Sequence, residues 1–280
     1  MQHNTMKYFS KFSGCGRAVL FALLLALVGC SENAYGPSRK IQAASGAENT
    51  AREEASSVNP SEPVLMVGDV TMPMPVPTGF RRIPTAHPLM RSAQAGLAGD
   101  EVLLCLFERI GDNAGSTASA MTLEALLQRE TLQVSTLSKW LNVEFSSLDF
   151  LKIKEPWQEE SIEFNQNTLN HFEEAALGRL AEEREFNYNM GMIDSSPLHI
   201  SFLKVMKHGA PTGESIYTCS STSLVWRYGK ILRITYNKHI ENFGQIQGVV
   251  AESVGYLQKL QAIDRNTRLS EAQRADSGAS

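Results

Sequence analysis

The sequence predicts an α+β fold: a mainly antiparallel sheet with helices packed on its faces, a layered α/β sandwich, preceded by a signal peptide and a disordered tether. Three stretches predict it. In Glu101 to Ile110, Val102, Leu104 and Leu106 point one way while Leu103, Cys105 and Phe107 point the other, so both faces of this strand are apolar and need cover. Between Phe186 and Tyr236, four strand-like runs are separated by short turn-forming connections, which join neighbouring antiparallel strands. Glu241 to Ile263 places Ile246, Val249, Val250, Val254, Leu257, Leu260 and Ile263 on one side of a closing helix.

The chain is read in order as residues 1–29 leader, 30–62 tether, 63–265 a single globular domain and 266–280 a flexible tail. Lys7, Lys11 and Arg17 precede an apolar run of eleven residues, Ala18 to Val28. That is about half of the roughly 20 residues a membrane-crossing helix needs, and it suits the core of a secretory signal with a basic front. The run ends Leu27-Val28-Gly29-Cys30. This ending resembles the lipobox of bacterial lipoproteins. The resemblance implies cleavage before Cys30, addition of a diacylglycerol to its thiol, three acyl chains in all on the mature protein, and membrane attachment through that residue. Attachment of this kind is firm because each buried methylene contributes about 0.8 kcal/mol. Ser31, where lipoproteins of the inner membrane favour Asp, implies an outer-membrane, periplasm-facing address.

Ser31 to about Glu62 is rich in Ser, Ala, Asn, Glu and Gly and poor in large apolar side chains, so ordering it gains too little buried surface. As a flexible tether it would span about 30 Å. From Pro63, the runs on either side of Gly68-Asp69 read as a short strand or hairpin. Pro73, Pro75 and Pro77 then interrupt pairing before Phe80 to Ile83, and His87 to Gly99 reads as a short helix.

Gly111 to Ser119 reads as an exposed loop, and Met121 to Lys139 as a short helix running into a strand. Ser146 is placed to start a helix over Leu148 to Lys154, which Pro156 should interrupt. Ile162, Leu169, Phe172, Ala176 and Leu180 predict a longer amphipathic helix over Ser161 to Glu185, with glutamates on its solvated face. The four strands are predicted at Phe186 to Ile193, Leu198 to Met206, Ser215 to Trp226 and Ile231 to Tyr236, and the chain should fray beyond Arg265.

A second likeness rests on Pro75-Val76-Pro77-Thr78-Gly79-Phe80, Leu103 to Phe107, and Val225-Trp226-Arg227-Tyr228-Gly229-Lys230-Ile231-Leu232 before a closing helix. This layout is similar to a group of uncharacterised exported proteins of proteobacteria and to the sandwich of PsbP-like proteins. It implies a fold and no catalytic residue.

Of 280 residues, 26 are basic and 30 acidic. The leader holds three of the basic residues and no acidic one, so the exported part has 23 against 30, a formal charge of −7. Such a balance argues against a nucleic-acid surface. Zinc helices, nucleophile elbows and phosphate loops are absent from the sequence, and no cofactor is indicated. Cys105 and Cys219 are read either as a disulfide or as two buried thiols. Tyr217, Trp226, Tyr228 and Tyr236 lie on neighbouring strands and either fill the core or form an aromatic partner surface. The expected function is a membrane-anchored envelope protein acting as a non-enzymatic binding or assembly module for another envelope protein. The alternative is a periplasmic hydrolase with a site assembled from separate strands; a cleft uniting His199 or His208 with a carboxylate and a hydroxyl would favour it.

Overall fold

Nine strands and four helices make up the described part of a computed structural model, which covers residues 63–111, 127–209 and 215–277, with side chains to 267. The chain divides into units Met1–Ser57 and Val58–Ser280, and every described residue belongs to the second. The predicted leader, Cys30, the tether, the greater part of the loop after Gly111, the start of the helix after Met121, and the end of the tail lie outside the described residues.

Leu65, Val67 and Met72 alternate inward along β1 (Val64–Val67) and β2 (Val70–Pro73), which form a separate two-stranded hairpin. Gly68 turns that hairpin at φ +60, with Leu141 O 2.2 Å from where a Cβ would stand, so only glycine fits. β3 (Phe80–Arg82), β4 (Glu101–Arg109), β5 (Thr131–Leu137), β6 (Phe186–Ser196), β7 (His199–Gly209), β8 (Ser215–Arg227) and β9 (Lys230–Ile240) form one sheet. Its order is β3-β4-β5-β9-β8-β7-β6, and every pairing is antiparallel. The consecutive neighbours predicted after Phe186 are all present. Tyr228 (φ +48) and Gly229 (φ +75) make the tight β8–β9 turn, whose left-handed pair matches the strand twist.

Helices cover both faces, as the two apolar faces of β4 require, although a bulge between Leu103 and Cys105 breaks the expected alternation and puts Leu103 on the same face as Leu106. On one face, α1 (Pro88–Ala95) sets Leu89, Met90 and Ala93 against Leu103 and Leu106. There too α2 (Ser147–Glu160) brings Trp157 to Phe202, ring centroids 5.8 Å apart. On the other face, α3 (Gln166–Leu177) packs Phe172 on Phe186 and Tyr188 of β6. α4 (Ile246–Ser277) lies beside it, burying Val249, Tyr256, Leu257 and Leu260 in the main core.

Three helix boundaries differ from expectation. Pro156 does not interrupt α2, which runs to Glu160; in an outer turn the missing N–H costs one backbone bond, and the Ser146–Asp149 capping box secures the start. The predicted helix over Ser161 to Glu185 is only Gln166–Leu177. Asn165 caps its start and Gly178 ends it, while the residues before it bond to β6 through Phe164 N to Met192 O and Met192 N to Ile162 O, both 2.7 Å. α4 runs past the expected end at Ile263, because no glycine or proline stops it before Ser277.

Candidate functional site

The β6–β7 hairpin concentrates polar chemistry. Its turn holds Ser195, Ser196, Pro197 and Leu198, and the Ser196 hydroxyl accepts the Leu198 N–H at 3.1 Å, a side-chain turn closure. β7 then opens on His199, whose side chain is 4% exposed and faces α4. Its Nε2 lies 2.8 Å from Asp194 Oδ2, and its Nδ1 lies 2.8 Å from Ser196 Oγ and 2.7 Å from Gln261 Nε2 of α4. From the opposite face, Lys154 Nζ of α2 donates to Ser196 O at 2.5 Å and lies 3.3 Å from Ser195 Oγ. Carboxylate, imidazole and hydroxyl are therefore in series, the composition used for acyl transfer.

The surroundings favour a clasp. The ring is buried, its Nδ1 is shared with the Gln261 amide, and the Ser196 oxygen closes its own turn. A cleft of about 260 Å³ lies elsewhere, lined by Arg82, Ile83, Pro84, Thr85, Met90, Leu104 and Cys105. What the three groups do here is fasten the hairpin to α4, while Lys154 fastens it to α2. His208 sits at the far end of β7, opposite Ile216. His87 caps α1, His171 is exposed on α3, and His239 Nδ1 donates to Tyr217 O at 3.1 Å. Among the described residues no group of three or more His, Cys, Asp or Glu side chains is placed to hold a metal ion.

The four aromatic residues considered as one partner surface are divided. Tyr217 and Tyr236 are on the α4 face: Tyr217 packs on Phe186 and Phe243, and Tyr236 is 3% exposed. The Tyr236 hydroxyl lies 2.5 Å from Glu130 and 2.9 Å from Glu252, and burial together with Glu130 raises its pKa. Arg109 binds the same two carboxylates, and Lys238 joins them, so this network ties α4 to the sheet. Trp226 is on the opposite face, donating to Phe145 O at 2.7 Å, and Tyr228 is in the turn. Alternation along one strand separates them.

Cys105 and Cys219 are free, buried thiols. They share a face, but β5 and β9 lie between their strands. Three strand spacings of about 4.8 Å, with Cys219 also four residues out of register with Cys105, put them more than about 14 Å apart, over twice what a disulfide allows.

One surface feature reads in the sequence only as the solvated face of a helix. Residues 155–185 contain nine glutamates and two arginines, an excess of seven negative charges. All of these glutamates but Glu173 are exposed. They run from the end of α2 across the bridge at Glu163↔Met192, along α3, to the start of the edge strand β6. Ile162 and Leu177, 57% and 79% exposed, stand among them. Each glutamate reads locally as the solvated side of a helix; their number against the rest of the chain is the signal. Around His199, Gln261 and Lys154 come from distant helices, so no local sequence signal joins them to it.

Neither the family models, nor the curated proteins, nor the solved structures compared with this chain include a match to it. Its activity has to be argued from its own residues.

Proposed function

We propose that this chain is an exported protein, anchored to the outer membrane through a lipidated Cys30, whose domain is a non-enzymatic binding module for a cationic envelope partner. The observation that carries the reading is the acidic strip at 155–185. Its excess of seven negative charges equals that of the whole exported chain, so the remainder is balanced and the field is concentrated along one edge of the sheet. Segregated charge of one sign steers and selects an oppositely charged surface. Ile162 and Leu177 supply apolar anchors within it, and exposed anchors ringed by polar groups are where interface energy gathers. The lipobox-like leader adds the address, and the long polar stretch after it adds reach.

The test is crosslinking in intact cells with three forms: wild type, Cys30→Ala, and Glu159→Lys/Glu160→Lys/Glu163→Lys. The reading expects one basic partner recovered with wild type, lost with the charge-reversed form, depleted without the anchor, and weakened in vitro between 50 and 300 mM salt, roughly the range over which exposed charges become screened. Equal recovery with the charge-reversed form would overturn it.

A second reading has one observation in its favour, the series Asp194–His199–Ser196. If it were hydrolytic, a fluorophosphonate probe would label wild type at Ser196 and spare both Ser196→Ala and His199→Ala. The binding reading expects no labelling of the folded protein.

A further inference from the structure

The α1/α2 face of the sheet carries a lysine with no counter-charge among the described residues. Lys204 in β7 is half-buried, among the described residues it makes no hydrogen bond or ion pair, and the charge that acts on it there is another cation, Arg233, itself engaged with Glu101 at 2.8 Å. Burial pushes the Lys204 pKa down, and Arg233 adds to this. An ammonium removed from water without a partner is unfavourable, so such a position calls for an anion.

The strand register shows what surrounds it. Lys204 is opposite Ser220 of β8, and Ser220 is opposite Asn237 of β9, all three on the same face. The Ser220 hydroxyl donates to Asn237 Oδ1 at 2.7 Å, which leaves the Asn237 amide N–H₂ as a donor. Two residues before Ser220, on the same face and diagonal to Lys204, is Thr218. It is 3% exposed, and its hydroxyl has no hydrogen-bond partner among the described residues. Buried hydroxyls are nearly always satisfied, and the exceptions ask for an explanation. An unpaired ammonium, an unpaired hydroxyl and an amide donor thus surround Ser220 on one face of the sheet.

We propose that these groups form a binding site for a small oxyanion, the phosphate or carboxylate group of a ligand, held by Lys204 Nζ, Thr218 Oγ1 and Asn237 Nδ2. The site is separate from the acidic strip and does not depend on the partner assigned to it. Like-charged strip and cationic site also divide the labour, since an anionic ligand is repelled by the first and retained by the second. Phe202 and Met206 flank Lys204 at i−2 and i+2 on the same face and give the ligand's remainder an apolar border.

Thermal unfolding of the full chain in sodium phosphate, sodium acetate and sodium chloride at equal ionic strength tests this. Wild type is expected to show a saturable rise in Tm with phosphate or acetate beyond that with chloride, and which of the two acts identifies the ligand's group. In Thr218→Val, which keeps the side-chain shape, the apparent affinity should fall about tenfold, the loss of one good bond to an anion. Lys204→Met should abolish the rise and melt no lower than wild type without anion, since it removes an unpaired charge. No anion-specific rise in wild type, or an equal rise in Lys204→Met, would overturn the proposal; so would a Thr218→Val protein, folded, that binds as wild type does.

Discussion

Arg227 at the end of β8 grips Asp264 of α4 with two guanidinium–carboxylate bonds, Nε to Oδ2 at 2.8 Å and Nη2 to Oδ1 at 2.5 Å. The same guanidinium donates to Pro73 O at 3.0 Å, so one side chain joins the sheet, the closing helix and the β1–β2 hairpin. Arg227 is 2% exposed. Removing one member of a buried pair leaves the other charge stranded, which costs about 3–5 kcal/mol. Arg227→Ala and Asp264→Ala should each lower stability by that order in urea unfolding. Arg227→Met/Asp264→Leu should cost less than the sum of the two, because no charge is left behind. Additive losses would mean that the pair is not coupled.

Gly191 is a second point of closure. At φ +107 it brings Ile162 O to 2.2 Å from where a Cβ would stand, and that carbonyl accepts the Met192 N–H. Gly191→Ala combines backbone strain with loss of the bridge that ends α2 on β6, so about 3 kcal/mol or more is expected. Gly255 in α4 has nothing within 4 Å of its Cβ position. Gly255→Ala should instead stabilise by roughly 0.5–1 kcal/mol. The two substitutions, compared by chemical denaturation at constant m-value, separate a glycine required by contact from one that is merely tolerated.

The elements were legible where periodicity and turn chemistry agree. The connections between the four strands from Phe186 onward each hold Gly, Ser or Pro, and the strands have the expected order. Boundaries failed where a cap outweighed a stripe: Asn165 and Gly178 cut the apolar repeat from Ile162 to Leu180 down to twelve residues. The site was less legible because its members meet through pairing. Nothing local to Lys204 distinguishes it from other alternating lysines; its lack of a partner follows only once Ser220, Asn237 and Thr218 are set beside it by register. Likewise Tyr217 and Trp226 are nine residues apart on one strand, and the odd spacing that sends them to opposite faces is readable only once the strand is known to be unbroken.

The hairpin clasp should show unequal sensitivity around one ring. Asp194→Ala leaves a buried imidazole N–H without its acceptor, a cost of about 1–3 kcal/mol. Ser196→Ala should cost less, because the Gln261 amide still donates to Nδ1. Hydrogen exchange of the β6–β7 amides would locate the loosening. A larger loss for Ser196→Ala would mean that the turn closure at Leu198, and not the imidazole, is what the hydroxyl supports.

Burial pushes the Cys105 and Cys219 thiols up to about 12, the neighbouring Arg82 and Lys238 offsetting little of it. Both therefore stay protonated in the fold while an unfolded cysteine ionises near its ordinary 9. Between those values the folded state holds more protons, so stability should be full below about pH 9 and fall as pH rises toward 12. Cys105→Ser/Cys219→Ser should flatten that alkaline decline relative to wild type. At pH 8 iodoacetamide should leave both residues unmodified in the native protein and alkylate both in urea, as read by peptide mass. Oxidation of the native protein should give no peptide linking the two, since β5 and β9 hold their strands apart. A native cross-link, or alkylation of either thiol at the rate of an exposed one, would mean that the sheet opens between β4 and β8 far more readily than its continuous pairing implies.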